Sequence, residues 1–198
     1  MRRERSIAPG WFEDLYRRHA DPWSFETSRY EAEKYAHTLA SLPPGPVASA
    51  LEVGCSIGVL TAMLAPRCDQ LLAVDVSETA LAAARARCAA LPQVRFERRV
   101  LPAGFPPGRF DLVLLSEVVY YWDRADVALL ATKLVAATAP GAHLLLVHYT
   151  DPTDYPLSGD DAVAALRAAL GDRVAEVRAE RRPRYRLDLW RRAASGGA

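Results

Sequence analysis

The stretch Leu51-Glu52-Val53-Gly54-Cys55-Ser56-Ile57-Gly58, answered by Leu71-Leu72-Ala73-Val74-Asp75, decides how this chain is read. An apolar strand runs into a turn of small residues and a helix, and a second apolar strand then ends in a carboxylate. Two glycines let the backbone turn tightly and approach a ligand with no Cβ in the way. The helix behind them opens with unpaired amides. An acid at the tip of the next strand is placed to accept hydrogen bonds from ribose hydroxyls. The combination builds a nucleoside pocket. A nicotinamide or flavin fingerprint needs Gly-x-Gly-x-x-Gly at the turn. Those three places hold Gly54, Ser56 and Val59. Two of the three glycines that let a pyrophosphate approach are missing, so a nucleoside without phosphate suits the turn better.

At 198 residues the chain is expected to form one domain, residues 1–198, with a helical cover over 1–45 and a Rossmann-like core over 46–198. Apolar residues make up 51% and charged ones 25%, which places it among globular proteins rather than disordered ones. A net charge of +1 gives no overall field for nucleic acid or an anionic membrane. No apolar run approaches the roughly 20 residues of a membrane span. The charged start Met-Arg-Arg-Glu-Arg-Ser leads into no signal-peptide core. Cys55, Cys68 and Cys88 have no metal-ligand spacing and read as reduced, buried thiols of a cytoplasmic protein.

Helices are expected over Trp11 to His19 and Ser28 to Ser41, the second capped by Thr27 or Ser28 and stopped by Pro43-Pro44-Gly45-Pro46. Strands near 48–53, 70–75, 94–98, 110–116 and 142–149 then alternate with helices near 58–65, 78–90 and 124–138. Pro140-Gly141 closes the last of these. Alternation of this kind marks a parallel sheet with both faces covered. After a helix near 159–170, Val174–Glu180 and Arg184–Trp190 carry charges on alternate residues, as an edge hairpin with one wet face would. The expected fold is α/β: a Rossmann-like, seven-stranded, mostly parallel sheet flanked by helices, with a C-terminal antiparallel hairpin.

The start Glu52-x-Gly54-x-x-x-Gly58 resembles the first motif of class I S-adenosylmethionine-dependent methyltransferases, with Ser56 in place of the middle glycine. Further segments resemble the nodulation N-methyltransferase S (NodS-like) family. They are Asp21-Pro22-Trp23, Arg29-Tyr30-Glu31, Leu64-Ala65-Pro66, Ser116-Glu117-Val118-Val119-Tyr120-Tyr121 and Ala139-Pro140-Gly141-Ala142-His143-Leu144, within roughly residues 12–150. That resemblance implies S-adenosylmethionine as methyl donor and S-adenosylhomocysteine as product. It also implies an amine on an amino sugar or oligosaccharide as acceptor. After the third strand the family pattern places an Asp that contacts adenine. This chain reads Glu97-Arg98-Arg99-Val100-Leu101, and an arginine cannot accept that hydrogen bond.

Ligands of open α/β sheets bind outside the carboxyl ends of the strands. That rule points to Glu52, Gly54, Cys55, Ser56 and Gly58, to Asp75 and Val76, to the backbone of Arg99 and Val100, and to Ser116. Trp23 and Arg29 join them from the cover, as an aromatic face for the sulfonium and a cation for the donor carboxylate. Glu117 follows an apolar strand, a costly place for a carboxylate without a purpose. With His148 and Tyr120 it forms the expected catalytic set, orienting an acceptor and receiving its proton. Bland readings stand beside these: Asp75 as a turn acid, Glu52 as a brace, Glu117 as a loop acid, His148 as a structural histidine. The arginines of the tail, Arg181 to Arg192, read as a solvated edge rather than a nucleic-acid patch. Other functions left open are a small-molecule O-methyltransferase and a non-catalytic S-adenosylmethionine-binding protein.

Overall fold

The apolar runs at 48–53 and 70–75 pair as parallel strands in a computed structural model that describes residues 2–194. β1 (Val47–Val53) sets Leu51 opposite Leu72 of β2 (Cys68–Asp75). β3 (Val94–Arg98) adds in parallel on the other side of β2, Asp75 opposite Arg98. Leu51, Ala73 and Val74 are fully buried, as the unbroken apolar runs required. With α1 (Pro9–Arg18), α2 (Arg29–Ala40), α3 (Val59–Leu64) and α4 (Glu78–Arg87), these strands make one compact unit, residues 8–100. Ser28 caps α2 by accepting the Glu31 amide, and Ser77 caps α4 by accepting that of Ala80.

The other compact unit comprises the N-terminal segment up to Ile7 and the chain from Leu101 onward. Within it β4 (Phe110–Ser116) runs parallel to β5 (Thr138–Tyr149), joined by α5 (Arg124–Ala137). α6 (Gly159–Leu170) leads to β6 (Val174–Arg181) and β7 (Tyr185–Arg192), an antiparallel hairpin closed where Arg182 donates to the Tyr185 carbonyl. β7 lies antiparallel to β5. The strand order is β3-β2-β1-β4-β5-β7-β6. The sheet is seven-stranded and mostly parallel, with flanking helices and a C-terminal antiparallel hairpin.

Two details differ from the sequence reading. β5 begins at Thr138 and takes in Pro140-Gly141, which the sequence placed before the strand. The pairing shifts register there, from Phe110↔Thr138 to Leu112↔His143, and such irregularities are where a strand tolerates a residue with no N–H. The hairpin, read as having one wet face, is instead divided strand by strand. β6 is the open edge and mostly exposed, whereas β7 is covered along nearly its whole length. Asp188 on β7 is buried, and Arg186 donates to both its oxygens at 2.8 and 2.7 Å. Arg186 also reaches Asp160 at 2.9 Å, and Arg192 donates to the Arg173 carbonyl. These two arginines are therefore part of the packing rather than of a solvated edge.

Removing Arg186 leaves a buried carboxylate uncompensated, so Arg186→Met should cost about 3 kcal/mol or more, measured by urea unfolding. The double change Arg186→Met with Asp188→Leu should recover much of that loss, because the desolvated charge goes with its partner.

Candidate functional site

The turn after β1 is left-handed three times in five residues. Gly54, Ser56 and Gly58 have φ of 75°, 52° and 80°. A Cβ on Gly58 would come within 3.0 Å of the Ala84 Cα and Cβ, so glycine here answers both to the backbone and to the close approach of α4. Ser56 holds a conformation that L residues seldom adopt. Its amide donates to Asp75 Oδ2 at 2.9 Å, and its Oγ accepts the hydroxyl proton of buried Tyr16. The Gly54 and Cys55 amides both donate to the Val74 carbonyl, at 2.8 and 3.1 Å. Arg87 of α4 binds the Ile57 carbonyl at 2.9 Å and pairs with Glu26 of the cover.

Asp75, at the tip of β2, accepts from Ser56 on one oxygen and from the Ser77 amide on the other at 2.9 Å. Burial raises its carboxyl above the ordinary value, and the amides of Ser77, Ser56 and Val76 oppose that rise. A carboxylate has about four lone-pair sites, so capacity for ligand hydroxyls remains. Glu52, one residue before the end of β1, is almost wholly buried, and its Oε2 has no hydrogen-bond partner. Burial pushes it up to about 8, with Thr61 opposing and the Asp75 charge reinforcing the shift. An orphaned buried carboxyl beside a glycine turn that ends in a strand-tip acid fits a nucleoside carrying a cationic amino-acid arm.

The cover is built from α1 and the loop after it. Asp21 accepts the amides of Phe25 and Glu26 at 2.8 and 2.9 Å, closing the Asp-Pro-Trp-Ser loop. Trp23 then packs edge-on to Tyr16 and stacks on Phe25, in a cluster with Ile57 of the turn. Glu13 of α1 accepts from the Ser77 and Thr79 hydroxyls, both at 2.7 Å. Those bonds hold its carboxyl down at about 2, at the N-terminus of α4, where the helix dipole also favours an anion. Sequence reasoning missed Glu13 and Tyr16, and Asp14 and Arg17 beside them gave no contrast.

Other anticipated positions lie as follows. Arg29 is 92% exposed at its side chain and pairs with Glu33 at 2.7 Å along the outer face of α2. Val76 offers a carbonyl that Arg98 already binds at 3.0 Å. The Arg99 amide donates to the Asp75 carbonyl at 2.9 Å, its guanidinium pairs with Glu97, and Val100 is exposed. Cys55, Cys68 and Cys88 are free and buried, and burial raises all three thiols, Cys68 to about 11. They are thiols, not nucleophilic thiolates. No cluster of metal-ligating side chains occurs among the described residues.

In the other unit, Ser116 ends β4 and Glu117 follows it with φ 59°, a second non-glycine left-handed residue at a strand tip. Its amide donates to the Val147 carbonyl at 2.7 Å, and its Oε2 lies 3.3 Å from the Tyr120 hydroxyl. His148 is fully buried, and its Nε2 accepts the Val119 amide at 3.2 Å, which posts the 119–121 turn. Tyr120 is edge-on to Tyr121 at 4.7 Å and stacks on Tyr155 at 5.2 Å. Tyr155 was not singled out in the sequence, since Pro152 to Pro156 carries no periodic pattern. The segment before Ile7 straps this turn: Ile7 donates to the Tyr121 carbonyl, and the Ser6 hydroxyl receives the Asp123 amide, both at 2.9 Å.

A parallel sheet with a glycine turn and strand-tip acids is the fold of the class I S-adenosylmethionine-dependent methyltransferases. The model of the family described as Nodulation protein S (NodS) matches residues 12–146, and the chain belongs to that family. The nodulation protein S of Bradyrhizobium diazoefficiens is 36% identical over 127 residues, 63% of this chain and 61% of its own length. The match spans 53–61% of the first such relatives. A Pseudomonas syringae protein provisionally assigned as a methyltransferase is 36% identical, with a TM-score of 0.73 over 83% of this chain and all of its own. The N-methyltransferase NodS of Bradyrhizobium japonicum WM9, solved with S-adenosyl-L-homocysteine, is 25% identical. Its TM-score is 0.81 over 91% of this chain and 97% of its own. No helix among the described residues is long and apolar enough to cross a membrane.

Glu13 and Glu52 should respond to pH in opposite directions. Glu13 has a folded value of about 2, below its ordinary 4.5, so its stabilisation is complete above pH 4.5 and fades as pH falls towards 2. The melting-temperature gap between wild type and Glu13→Gln should therefore close over that interval. Glu52 is raised from 4.5 to about 8, so its contribution is complete below 4.5 and is lost as pH rises through 8. Glu52→Gln should gain stability relative to wild type as pH climbs from 4.5 to 8 in thermal melts without ligand.

Proposed function

We propose that this chain is an S-adenosylmethionine-dependent methyltransferase that methylates an amine of a small molecule, most directly an amino sugar. The observation that carries the reading is the turn from Gly54 to Gly58 tied to Asp75 beneath an orphaned Glu52, in a chain of the NodS family. Asp75 holds the ribose hydroxyls, Glu52 meets the ammonium of the donor's amino-acid arm, and the backbone of Arg99 and Val100 borders the adenine. Gly54, Cys55 and Ser56 supply turn backbone against the donor, and Trp23 an aromatic face. The bound donor supplies an activated methyl group on sulfur.

The leaving group needs no further activation, so the protein's main contribution is alignment, worth up to about 7–11 kcal/mol in favourable cases. An amine enters as ammonium, and a carboxylate holds it in that unreactive form until the proton is taken. Glu117 does both, gripping the cation and accepting its proton as the nitrogen attacks. Its left-handed backbone is the strain expected where a side chain is aimed for function rather than packing. His148 stands behind it as a buried post, since its Nε2 lone pair already holds the Val119 amide. Tyr120 keeps the Glu117 carboxylate oriented, and half-buried Tyr121 offers aromatic surface to a sugar ring.

Calorimetry with S-adenosylmethionine and S-adenosylhomocysteine should show saturable binding of both, and binding of neither would end the reading. A screen with labelled donor over deacetylated chitooligosaccharides, other amines and hydroxyl compounds should place the label on nitrogen; label on oxygen would replace the amine with a hydroxyl acceptor. Glu117→Gln should lower kcat about 100-fold with donor affinity unchanged.

A further inference from the structure

The loops that follow β4 and β5 carry Glu117, Tyr121 and Tyr155. The first contains a 3₁₀ turn of three residues, Val119–Tyr121, closed by the Tyr121 amide on the Val118 carbonyl at 3.1 Å. So short a turn has poor hydrogen-bond geometry and little stability of its own. It meets the second loop where the Leu157 amide donates to the Tyr120 carbonyl at 3.2 Å. The N-terminal segment adds a tie to each loop. The Ile7 amide donates to the Tyr121 carbonyl at 2.9 Å, and the Arg3 amide to the Asp154 carbonyl at 3.0 Å. One strap, residues 3–7, therefore crosses both loops, with buried Ile7 as its apolar anchor. It precedes residue 12, where the match to the family begins.

Ser6 is the knot of the strap. A hydroxyl has one proton to donate and two lone pairs to accept with. The Ser6 hydroxyl donates to Asp126 Oδ2 and accepts the Asp123 amide at 2.9 Å. The Ser6 amide lies 3.4 Å from Asp123 Oδ2. The other oxygen of that carboxylate caps α5 by accepting the Ala125 and Asp126 amides, both at 3.0 Å. Asp123 thus joins the strap to the end of the first loop and to the opening turn of α5. The ion pair of Arg3 with Asp154 at 3.3 Å adds little, because both side chains are well exposed.

We propose that Ser6 is a positioning residue for the amine side of the reaction, holding the loops after β4 and β5 in register through the strap. The proposal rests on the reading of Glu117 and Tyr121 as groups that meet the amine substrate. The loop that carries them is pinned at its start, where the Glu117 amide donates to the Val147 carbonyl at 2.7 Å. Ser6 pins its other end at Asp123. With the far end released, Glu117 and Tyr121 lose their fixed spacing from Tyr155, and a misplacement of about 1 Å can cost on the order of 100-fold in rate. The donor turn is tied separately, through Tyr16 to Ser56 and through Ser56 to Asp75. Loss of the Ser6 hydroxyl therefore acts on the amine and not on the donor.

Ser6→Ala removes the knot, and Ser6→Thr keeps the hydroxyl. In Ser6→Ala the Asp123 amide loses its acceptor, so its hydrogen exchange, followed by NMR, should quicken about tenfold. The Trp122 and Leu157 amides, bonded to Val119 and Tyr120, should quicken severalfold as well. The Gly54 and Cys55 amides of the donor turn should keep their wild-type rates. With a deacetylated chitooligosaccharide as the amine probe, KM for the amine should rise about tenfold and kcat fall severalfold, while donor affinity by calorimetry stays at the wild-type value. Ser6→Thr should return every one of these readings to near wild type. Quickening confined to the Asp123 amide overturns the link from strap to loops. Equal losses in Ser6→Thr and Ser6→Ala overturn the role of the hydroxyl, and donor affinity that weakens in step with the amine KM overturns the restriction to the amine side. Wild-type protein that methylates no amine overturns the proposed function; an active wild type matched by Ser6→Ala in amine KM and kcat overturns the positioning role alone.

Discussion

The Asp75 carboxylate bridges the Ser56 and Ser77 amides, and the shape of the 8–100 unit depends on that bridge. It ties the end of β2 to the turn after β1 and to the start of α4 at once. The turn it holds is left-handed at three positions, a conformation with little stability of its own outside glycine. Burial works against the charge of Asp75, and three backbone amides favour it. The Ser56 and Ser77 amides fix the direction of the carboxylate. In the proposed function that preorganisation serves ligand recognition, because a side chain already aimed costs little to engage.

The Leu101-onward unit solves a different problem. The Glu117 backbone is left-handed, its amide donates to the Val147 carbonyl, and its Oε2 lies 3.3 Å from the Tyr120 hydroxyl. The proposed methylation of an amine gives the two acids different tasks, Asp75 hydroxyl recognition and Glu117 proton transfer.

Much of this was legible in the sequence, for identifiable reasons. Continuous apolar runs report two covered sheet faces, Ser28 and Ser77 report helix starts, and the glycines at 54 and 58 report the left-handed turn tied to Asp75. Glu13 and Tyr16 were not legible, because their partners lie 64 and 40 positions away and only folding brings them together. Asp188 and Arg186 misled for a related reason. Alternating charges usually mean a wet face, but two opposite charges two residues apart on a strand share a face and can be buried as a neutral pair. Tyr155 sits in a proline-flanked loop whose composition predicts only a turn.

Ser56 shows how the departure from the motif is accommodated. A serine in the left-handed region costs on the order of 1–2 kcal/mol relative to glycine. Its amide is committed to Asp75 and its hydroxyl to Tyr16, two bonds whose combined contribution is of similar size. Glycine would satisfy the backbone but leave the Tyr16 hydroxyl, which is buried, in need of another partner. The serine therefore makes the turn and the cover helix one structural element, with α1 also fastened through Glu13 to Ser77 and Thr79. In this chain the missing glycine is no sign of a decayed motif. Position 56 is where the N-terminal helix is fastened to the turn through Tyr16.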